Sequence, residues 1–306
     1  MEKKEGLKLT EEVLDDVLTG GTVLGGGGGG DPVKGRKYAK IAVDYTDLRL
    51  VPIEEIDDDA VLLTASLVGA PNARDQFMTA KDLAYTIEMI KKNTDLKLGG
   101  IITNEQGGEV SVNGWLQAAI SGLPLVDAPC NGRAHPTGVM GSMNLHKQKD
   151  YRTVQACVGG NPETGNHVEC FFEGSIEHTS KLVRMASIEA GGLVAVARNP
   201  VTAAYAKENC AVGGVSFAIE TGKAFRKGLE TSVEEAVRNV CEFLGGSILA
   251  KGEVKNFSIE TTGGFDVGYA EVDGCQLTFW NEYATAEKDG KRLATFPDLI
   301  MTINAN

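Results

Sequence analysis

The chain has 306 residues, of which 42% are hydrophobic and 24% charged, a composition that is typical of a globular protein and excludes a disordered one. Its formal net charge of −12 and the lack of a basic stripe argue against nucleic-acid binding. No apolar stretch approaches the roughly 18 residues of a membrane span and the six cysteines lack CxxC pairing, so we expect a soluble cytoplasmic protein with reduced thiols and no membrane partner.

The first predicted element is a helix over residues 9–18. Thr10 is a favourable N-cap, acidic residues follow it in the first turn, and Gly20 and Gly21 are expected to end the helix. A run of six glycines occupies residues 25–30. Alternation of apolar residues over 38–50 then predicts an antiparallel strand or hairpin.

Three continuous apolar runs follow, at residues 60–68, 98–103 and 123–126. Such runs are typical of strands that are buried on both faces. They alternate with helical patterns over 79–92 and 112–121, and strands that alternate with helices imply parallel crossover connections. The first half of the chain therefore predicts an α/β sheet.

The second half has a different texture. The patterns predict a β-ribbon over 153–172, then helices over 180–190, 201–208 and 232–244, then a strand-rich region over 248–303. Within that region Gly263-Gly264, Asp273-Gly274 and Asp289-Gly290 indicate turns, and the last two are hairpin signals. A strand-like apolar run over 297–303 with little after it suggests that a final strand or a tail is missing.

These patterns predict an α/β protein of two domains. Residues 1–170 form an N-terminal α/β domain with a largely parallel sheet, which carries the glycine-rich loop and the proposed site. Residues 171–306 form a C-terminal β-rich α+β domain. Ligands of open α/β sheets bind outside the carboxyl ends of the strands.

The predicted strand ends locate a candidate site for a small polar substrate. They place Pro71, Asn104, Glu105 and Asp127 at one edge of the sheet. A carboxylate such as Glu105 can act as a general base or as a metal ligand at such a position. The alternative for Glu105 is an N-terminal helix cap.

The glycine run has three alternative interpretations. It contains GxGxxG at Gly25, Gly27 and Gly30, but a dinucleotide-binding fingerprint needs a solid strand before it, and residues 22–24 are short. The second interpretation is a loop whose bare backbone lies against a substrate, and the third is a flexible turn. In the second case the substrate contacts are expected at Gly27, Gly28, Gly29 and Asp31.

Residues 127–146 concentrate chemically active side chains. Cys130, His135 and His146 suit zinc, because thiolate and imidazole are its usual ligands, although their spacing matches no compact zinc motif. Arg133 can clamp a substrate carboxylate with its planar fork. The alternative is a structural loop in which Arg133 pairs with Asp127 and His135 packs on the sheet.

Asn281 and Glu282 follow an apolar strand pattern over 277–280. An amide and an acid at the end of a strand can cap a turn. They can also reach across a domain interface to the site.

The order of several motifs resembles one family. The chain is similar to the family named after S-methyl thiohydantoin desulfurase, whose members often occur beside hydantoinase and oxoprolinase genes, and the resemblance covers nearly the whole chain. The motifs are Leu24-Gly25 with the glycine run, Asn104-Glu105-x-Gly107-Gly108, Asp127-x5-Arg133-Ala134-x-Pro136, Phe279-Trp280-Asn281-Glu282 and Ala294-Thr295-x-Pro297-Asp298-Leu299-Ile300.

The resemblance implies a zinc-dependent hydrolase in which water replaces the methylthio group of a hydantoin-like or S-methyl thiohydantoin-like ring. The alternative is a non-catalytic protein that binds a small ligand or partners a hydantoinase-type enzyme, and in both cases we expect a homo-oligomer. The expected catalytic residues are Glu105, Asp127 and Arg133. The expected substrate-binding residues are Gly27, Gly28, Gly29, Asp31, Pro71, Asn104, Asn281 and Glu282, and the expected zinc ligands are Cys130, His135 and His146.

Overall fold

The structure, a computed structural model, describes residues 6–69, 73–135, 139, 143–262 and 265–304. It contains an eight-stranded sheet flanked by helices and a five-stranded antiparallel sheet. In chain order the elements are β1 (Leu7–Lys8), α1 (Glu11–Gly25), α2 (Pro32–Tyr45), β2 (Arg49–Val51), β3 (Val61–Gly69), α3 (Ala80–Asn93), β4 (Leu98–Thr103), α4 (Trp115–Ser121), β5 (Leu125–Val126), β6 (Thr153–Gly159), β7 (Val168–Gly174), α5 (Ile176–Glu189), β8 (Leu193–Thr202), α6 (Ala203–Asn209), α7 (Gly214–Leu229), α8 (Val233–Leu244), β9 (Val254–Thr262), β10 (Phe265–Val272), β11 (Cys275–Trp280), β12 (Tyr283–Lys288) and β13 (Lys291–Thr295).

Helix α1 begins where the sequence predicts and ends later. The Thr10 hydroxyl caps it by accepting a hydrogen bond from the Val13 amide. The prediction that Gly20 and Gly21 end the helix is wrong. Gly20 lies where α1 crosses α7, and a Cβ added to it would be 1.8 Å from the Ala218 carbonyl oxygen. Gly20 permits the close approach of the two helices, Gly21 faces Ser111 and the Gly107 carbonyl, and the helix ends instead at a left-handed Gly26.

Residues 38–45 are helical, so the prediction of a strand or hairpin over 38–50 is wrong for most of its length. Asp31 caps α2 by accepting a hydrogen bond from the Val33 amide at 2.9 Å, and Pro32 occupies the first turn. Ala39 and Ala42 are buried at helical spacing. The cap signal at Asp31 and Pro32 therefore outweighs the apparent alternation, and only β2 at the end of the segment is a strand.

The strand order of the large sheet is β1-β2-β5-β4-β3-β8-β6-β7. Strands β2, β5, β4 and β3 run parallel to their neighbours in this group, and β8, β6 and β7 pair antiparallel. The predicted strands β3, β4 and β5, the helix α3 and the β6–β7 ribbon are confirmed. The predicted fold class, an α/β N-terminal domain with a largely parallel sheet and a β-rich C-terminal domain, is confirmed, with the sheet mixed rather than parallel throughout.

Strand β8 and helix α7 have no counterpart among the predicted elements. Strand β8 lies between β3 and β6 and so completes the large sheet from the second half of the chain. Its apolar run was visible in the sequence, but its place in the sheet depends on pairing with residues that are far away along the chain. Helix α7 packs against α1 through Gly222 and Gly20.

The five-stranded sheet has the order β13-β12-β11-β10-β9. The predicted hairpin turns at Asp273-Gly274 and Asp289-Gly290 are confirmed, and all four residues have positive φ, as a type I′ turn requires. The predicted turn at 263–264 lies outside the described residues. Residues 299–304 form no strand, contrary to prediction, and Leu299 packs instead against the core of the large sheet.

In the part of the chain that the structure describes, no helix combines the length and the apolar character needed to cross a bilayer.

Candidate active site

Two loops meet at the carboxyl ends of β4 and β5. The loop after β4, residues 104–109, is buried throughout. Backbone amides of the loop after β5 donate to it, from Cys130 to the Thr103 carbonyl at 3.1 Å and from Asn131 to the Asn104 carbonyl at 3.0 Å. The Asn104 side chain accepts a hydrogen bond from Asn113. These bonds hold the predicted strand-end residues in one rigid framework.

The glycine loop, residues 25–30, lies on this framework. Its Gly29 carbonyl accepts hydrogen bonds from the amides of Glu109 at 2.6 Å and Val110 at 2.9 Å. A Cβ added to Gly29 would be 2.5 Å from the Cα of Gly107, so only two glycines allow the loops this close. A Cβ added to Gly27 would meet nothing within 4 Å. The loop is thus fixed by its neighbours, while Gly27 leaves open space beside it.

Glu105 and His135 form a buried pair at the centre of the site. Nδ1 of His135 is in ion-pair contact with Oε2 of Glu105, and their side chains are 10% and 9% exposed. A carboxylate that accepts from Nδ1 favours the tautomer whose basic lone pair is on Nε2. The pair therefore has the arrangement of an oriented general base.

Glu282 enters the site from the five-stranded sheet. A Cβ added to Gly28 would be 2.0 Å from its Oε1, so the carboxyl group lies directly against the glycine loop. Burial raises the pKa of this carboxyl, and the nearby charge of Glu105 raises it further, against the opposing influence of His135 and Arg133. Among the described residues, nothing hydrogen-bonds to its buried Oε2. Glu282 is thus suited to carry a proton beside the Glu105–His135 pair.

Arg133 joins the two domains at the site. Its guanidinium donates to the backbone carbonyls of Glu282 at 2.9 Å and Asp298 at 3.1 Å. Arg133 does not pair with Asp127, whose carboxylate is bonded to Val215 and Ser216, so that part of the structural alternative is wrong. Arg133 fixes the turn that carries Glu282 and is therefore placed to position that carboxyl group.

Asp127 serves the beginning of helix α7. Its carboxylate accepts hydrogen bonds from the Val215 amide at 2.8 Å and from the amide and hydroxyl of Ser216. Burial raises its pKa, and these hydrogen bonds lower it. The carboxylate oxygens are thus used by a helix that the sequence patterns did not predict, and Asp127 stays a predicted catalytic residue only by its place at the strand end.

The three predicted zinc ligands differ in their surroundings. Cys130 is buried with its Sγ 3.2 Å from the Thr64 hydroxyl and beside Cys210, His135 pairs with Glu105, and His146 is exposed on a 3-10 turn. Within the described ranges, no group of three or more His, Cys, Asp or Glu side chains is arranged to hold a metal ion. The described donors do not fit a zinc ion, and we derive no step through one.

The remaining predicted substrate residues are distributed as follows. Asn281 has φ +48 and caps its turn by accepting from the Asp266 amide at 2.7 Å, so the capping alternative holds for it, whereas Glu282 reaches the site. Asp31 caps α2. Pro71 lies outside the described residues.

The sequence patterns did not single out Glu109, a buried carboxyl group under the glycine loop. Burial raises its pKa from 4.5 to about 7, the charge of Lys34 lowers it and that of Asp31 raises it. A carboxyl whose pKa is higher in the folded chain stabilises the fold most below pH 4.5, and this stability is lost as the pH rises through 7.

Replacing Glu109 with Gln should remove that loss. With about 1.4 kcal/mol for each tenfold change in proton affinity, ionised Glu109 lowers the free energy of unfolding by about 3 kcal/mol at pH 8. We expect Glu109→Gln to match the wild type near pH 4 and to exceed it by about that amount at pH 8. Urea unfolding at both pH values measures the difference, and an equal difference at both would contradict the assignment.

Gly28 offers a probe of the position of Glu282. In Gly28→Ala the new methyl group overlaps the Glu282 carboxyl, which is the movable end of a side chain, so the fold should survive while the carboxyl is displaced. For a reaction that uses the Glu282 carboxyl, we expect kcat to fall at least about tenfold, since displacing a catalytic group by about 1 Å costs up to 100-fold. Gly132→Ala is the control, because its Cβ would meet only Ala211 at 3.9 Å.

The fold and site define a protein with a mixed α/β sheet domain, a β-rich domain and a carboxylate-rich site between them. Two family models match the chain: S-Me-THD-like, N-terminal domain, over residues 12–167, and S-Me-THD-like, C-terminal domain, over residues 174–306. The chain belongs to the S-Me-THD-like family.

The chain also resembles a solved structure. An X-ray crystal structure of a protein from Chromobacterium violaceum shares 22% identity and a TM-score of 0.66, with 96% of this chain and 81% of that chain covered. At this identity the likeness concerns the fold alone. A comparison with curated proteins gave no match.

Proposed function

We propose that the chain is a hydrolase of a small hydantoin-like or S-methyl thiohydantoin-like ring. The observation that carries the proposal is the contrast between two buried carboxyl groups, Glu105 bonded to His135 and Glu282 with a raised pKa. A histidine that is oriented by one carboxylate, next to a second carboxyl group whose pKa is raised, is an arrangement suited to a catalytic base and acid. Family membership supports the substrate class.

The step begins with addition of water to the C=N carbon that bears the methylthio group. The water oxygen forms the C–O bond while His135, oriented by Glu105, takes one water proton. The electron pair of the C=N bond moves to the ring nitrogen, which takes the proton of Glu282. Arg133 is a positioning residue here, because it holds the carbonyl group of Glu282.

The step ends with cleavage of the C–S bond. The departing sulfur takes the proton held by His135 and leaves as methanethiol, and the hydroxyl on carbon gives its proton to Glu282. Both residues return to their starting states, and the product is a hydantoin with a new carbonyl group and a new N–H. The bare backbone at Gly27 leaves room for a flat ring beside these groups.

Turnover of an S-methyl thiohydantoin tests the proposal. We expect the full chain to release thiol, detected with a chromogenic thiol reagent, and to incorporate one atom of oxygen-18 from labelled water into the hydantoin. Ring binding without thiol release would contradict it and favour the non-catalytic ligand-binding or accessory role. If a chelator abolished turnover and zinc restored it, the chain would need a zinc site whose ligands are not the set of Cys130, His135 and His146.

A further inference from the structure

Arg198 lies in the middle of the large sheet and is 7% exposed. On β8 it is the register partner of Thr64 on β3 and of Gln155 on β6. Register partners project from the same face of a sheet, and Gln155 bonds to Thr179 of α5. The guanidinium is therefore buried between the sheet and α5, near Cys130 and Glu105, whose charges act on it.

The guanidinium of Arg198 lacks the partners that a buried charge needs. Its Nε is buried with no hydrogen-bond acceptor, and the nearby charges of Cys130 and Glu105 act on it without a side-chain hydrogen bond from the described chain. Arginine stays protonated in proteins, so burial cannot be relieved by loss of the proton. Nε is enclosed without an acceptor, whereas the two terminal nitrogens are not among the enclosed unsatisfied atoms, so a group outside the chain can complete the guanidinium there.

A second unpartnered atom lies beside Arg198. Oε1 of Gln155 is buried without a hydrogen-bond donor in the described chain. The amide orientation is fixed, because the Thr179 hydroxyl donates to the Ser175 carbonyl at 2.9 Å and so must accept from Nε2 of Gln155. The pair thus offers a cationic donor and a neutral acceptor side by side.

We propose that Arg198 binds a carboxylate of the substrate, with Gln155 accepting an N–H beside it. The planar fork of a guanidinium matches the two oxygens of a carboxylate. This subsite rests on the proposed function for the ring and would make the substrate an acidic, N–H-bearing ring rather than a neutral one. The site nearest to it is the Glu105–His135 pair, whose Glu105 acts on Arg198 electrostatically.

The competing assignment is internal. Cys130, hydrogen-bonded to the Thr64 hydroxyl at 3.2 Å, would supply the counter-charge if its thiol were ionised. The two assignments predict opposite changes in stability when Arg198 is replaced in the free protein. A Cys130 thiolate would already neutralise Arg198, whereas a ligand carboxylate would be absent.

The free protein should gain stability when the charge is removed. We expect Arg198→Met to raise Tm by at least about 3 °C, since each kcal/mol moves Tm by roughly 2–4 °C in a chain of this size. Arg226→Met is the control: this guanidinium is ion-paired with the buried carboxylate of Asp16, so its removal should lower Tm. A fall in Tm, or failure to fold, for Arg198→Met would overturn the subsite.

A carboxylate probe tests binding directly. Relative to potassium chloride of equal ionic strength, potassium acetate should raise the Tm of the wild type by more than it raises that of Arg198→Met, in which only the general stabilising effect of acetate remains. No difference in the wild type would overturn the proposal. So would the ultraviolet absorbance of a thiolate in the wild type that is lost in Cys130→Ser.

A pair of hydantoins separates the subsite from the proposed function. A hydantoin with an acetic acid side chain should bind at least about tenfold more tightly than its neutral acetamide analogue, with the preference lost in Arg198→Met. Equal binding of acid and amide by a chain that turns over S-methyl thiohydantoins would overturn the subsite alone. Acetate binding without binding of either hydantoin would overturn the proposed function and leave the subsite standing.

Discussion

His135→Asn and Glu105→Gln should each lower kcat for an S-methyl thiohydantoin by about 10²–10⁴-fold, the range expected when a general base is lost. His135→Asn removes the basic imidazole. Glu105→Gln keeps the size of the side chain and removes the carboxylate that orients the imidazole. Because the two residues act as one unit, the double variant should be little worse than either single one. Steady-state kinetics of thiol release measures all three.

A matched control for this pair exists elsewhere in the chain. Nε2 of His167 lies 3.4 Å from Oδ1 of Asp82, so these residues form a second partly buried histidine–carboxylate pair. His167 directly precedes β7, and Asp82 lies in α3. His167→Asn should therefore leave kcat unchanged. Equal losses in His167→Asn and His135→Asn would mean that both act through the fold, and retention of kcat in His135→Asn would refute the general base.

The apolar runs of the sequence were enough to locate the strand ends, and the strand ends located much of the candidate site. Glu105 follows an apolar run that is a buried strand, so its place at the sheet edge follows from local sequence. For Asn281 and Glu282 the sequence left two roles open, capping a turn or reaching the site across the domain interface. Asn281 caps its turn, and Glu282 reaches the site. The pairing of Glu105 with His135 requires that two loops meet in space, which spacing along the chain does not fix.

What the sequence patterns missed was set by long-range packing. Arg198 is a single charge in an apolar run, and its position opposite Thr64 depends on strand β8 inserting between strands that come earlier in the chain. The use of Asp127 as a cap depends on α7, a helix whose glycines hid it. Gly20 misled the prediction for the end of α1 in the same way, because a residue that breaks an isolated helix also permits two helices to touch.

The contact between α1 and α7 gives the largest expected loss of stability. A Cβ added to Gly222 would be 1.8 Å from the Asp16 carbonyl oxygen and 2.9 Å from the Gly20 amide nitrogen, both backbone atoms that no side-chain rotation can move. Gly222→Ala should force α1 and α7 apart and lower the free energy of unfolding by about 3 kcal/mol, the upper part of the range for overpacked cores. Urea denaturation against Gly132→Ala, expected within about 0.5 kcal/mol of the wild type, measures it.

The pair Gly20→Ala and Gly222→Ala tests whether one contact is responsible for both losses. Each glycine faces backbone of the other helix at the same crossing, so once one methyl group has separated the helices the second should add little. We expect the double variant to be less destabilised than the sum of the single variants by about 1 kcal/mol or more, as is usual for residues in contact. Strict additivity would show that the glycines act separately, through helix propensity within α1 and α7, and that the helices do not depend on this crossing for their approach.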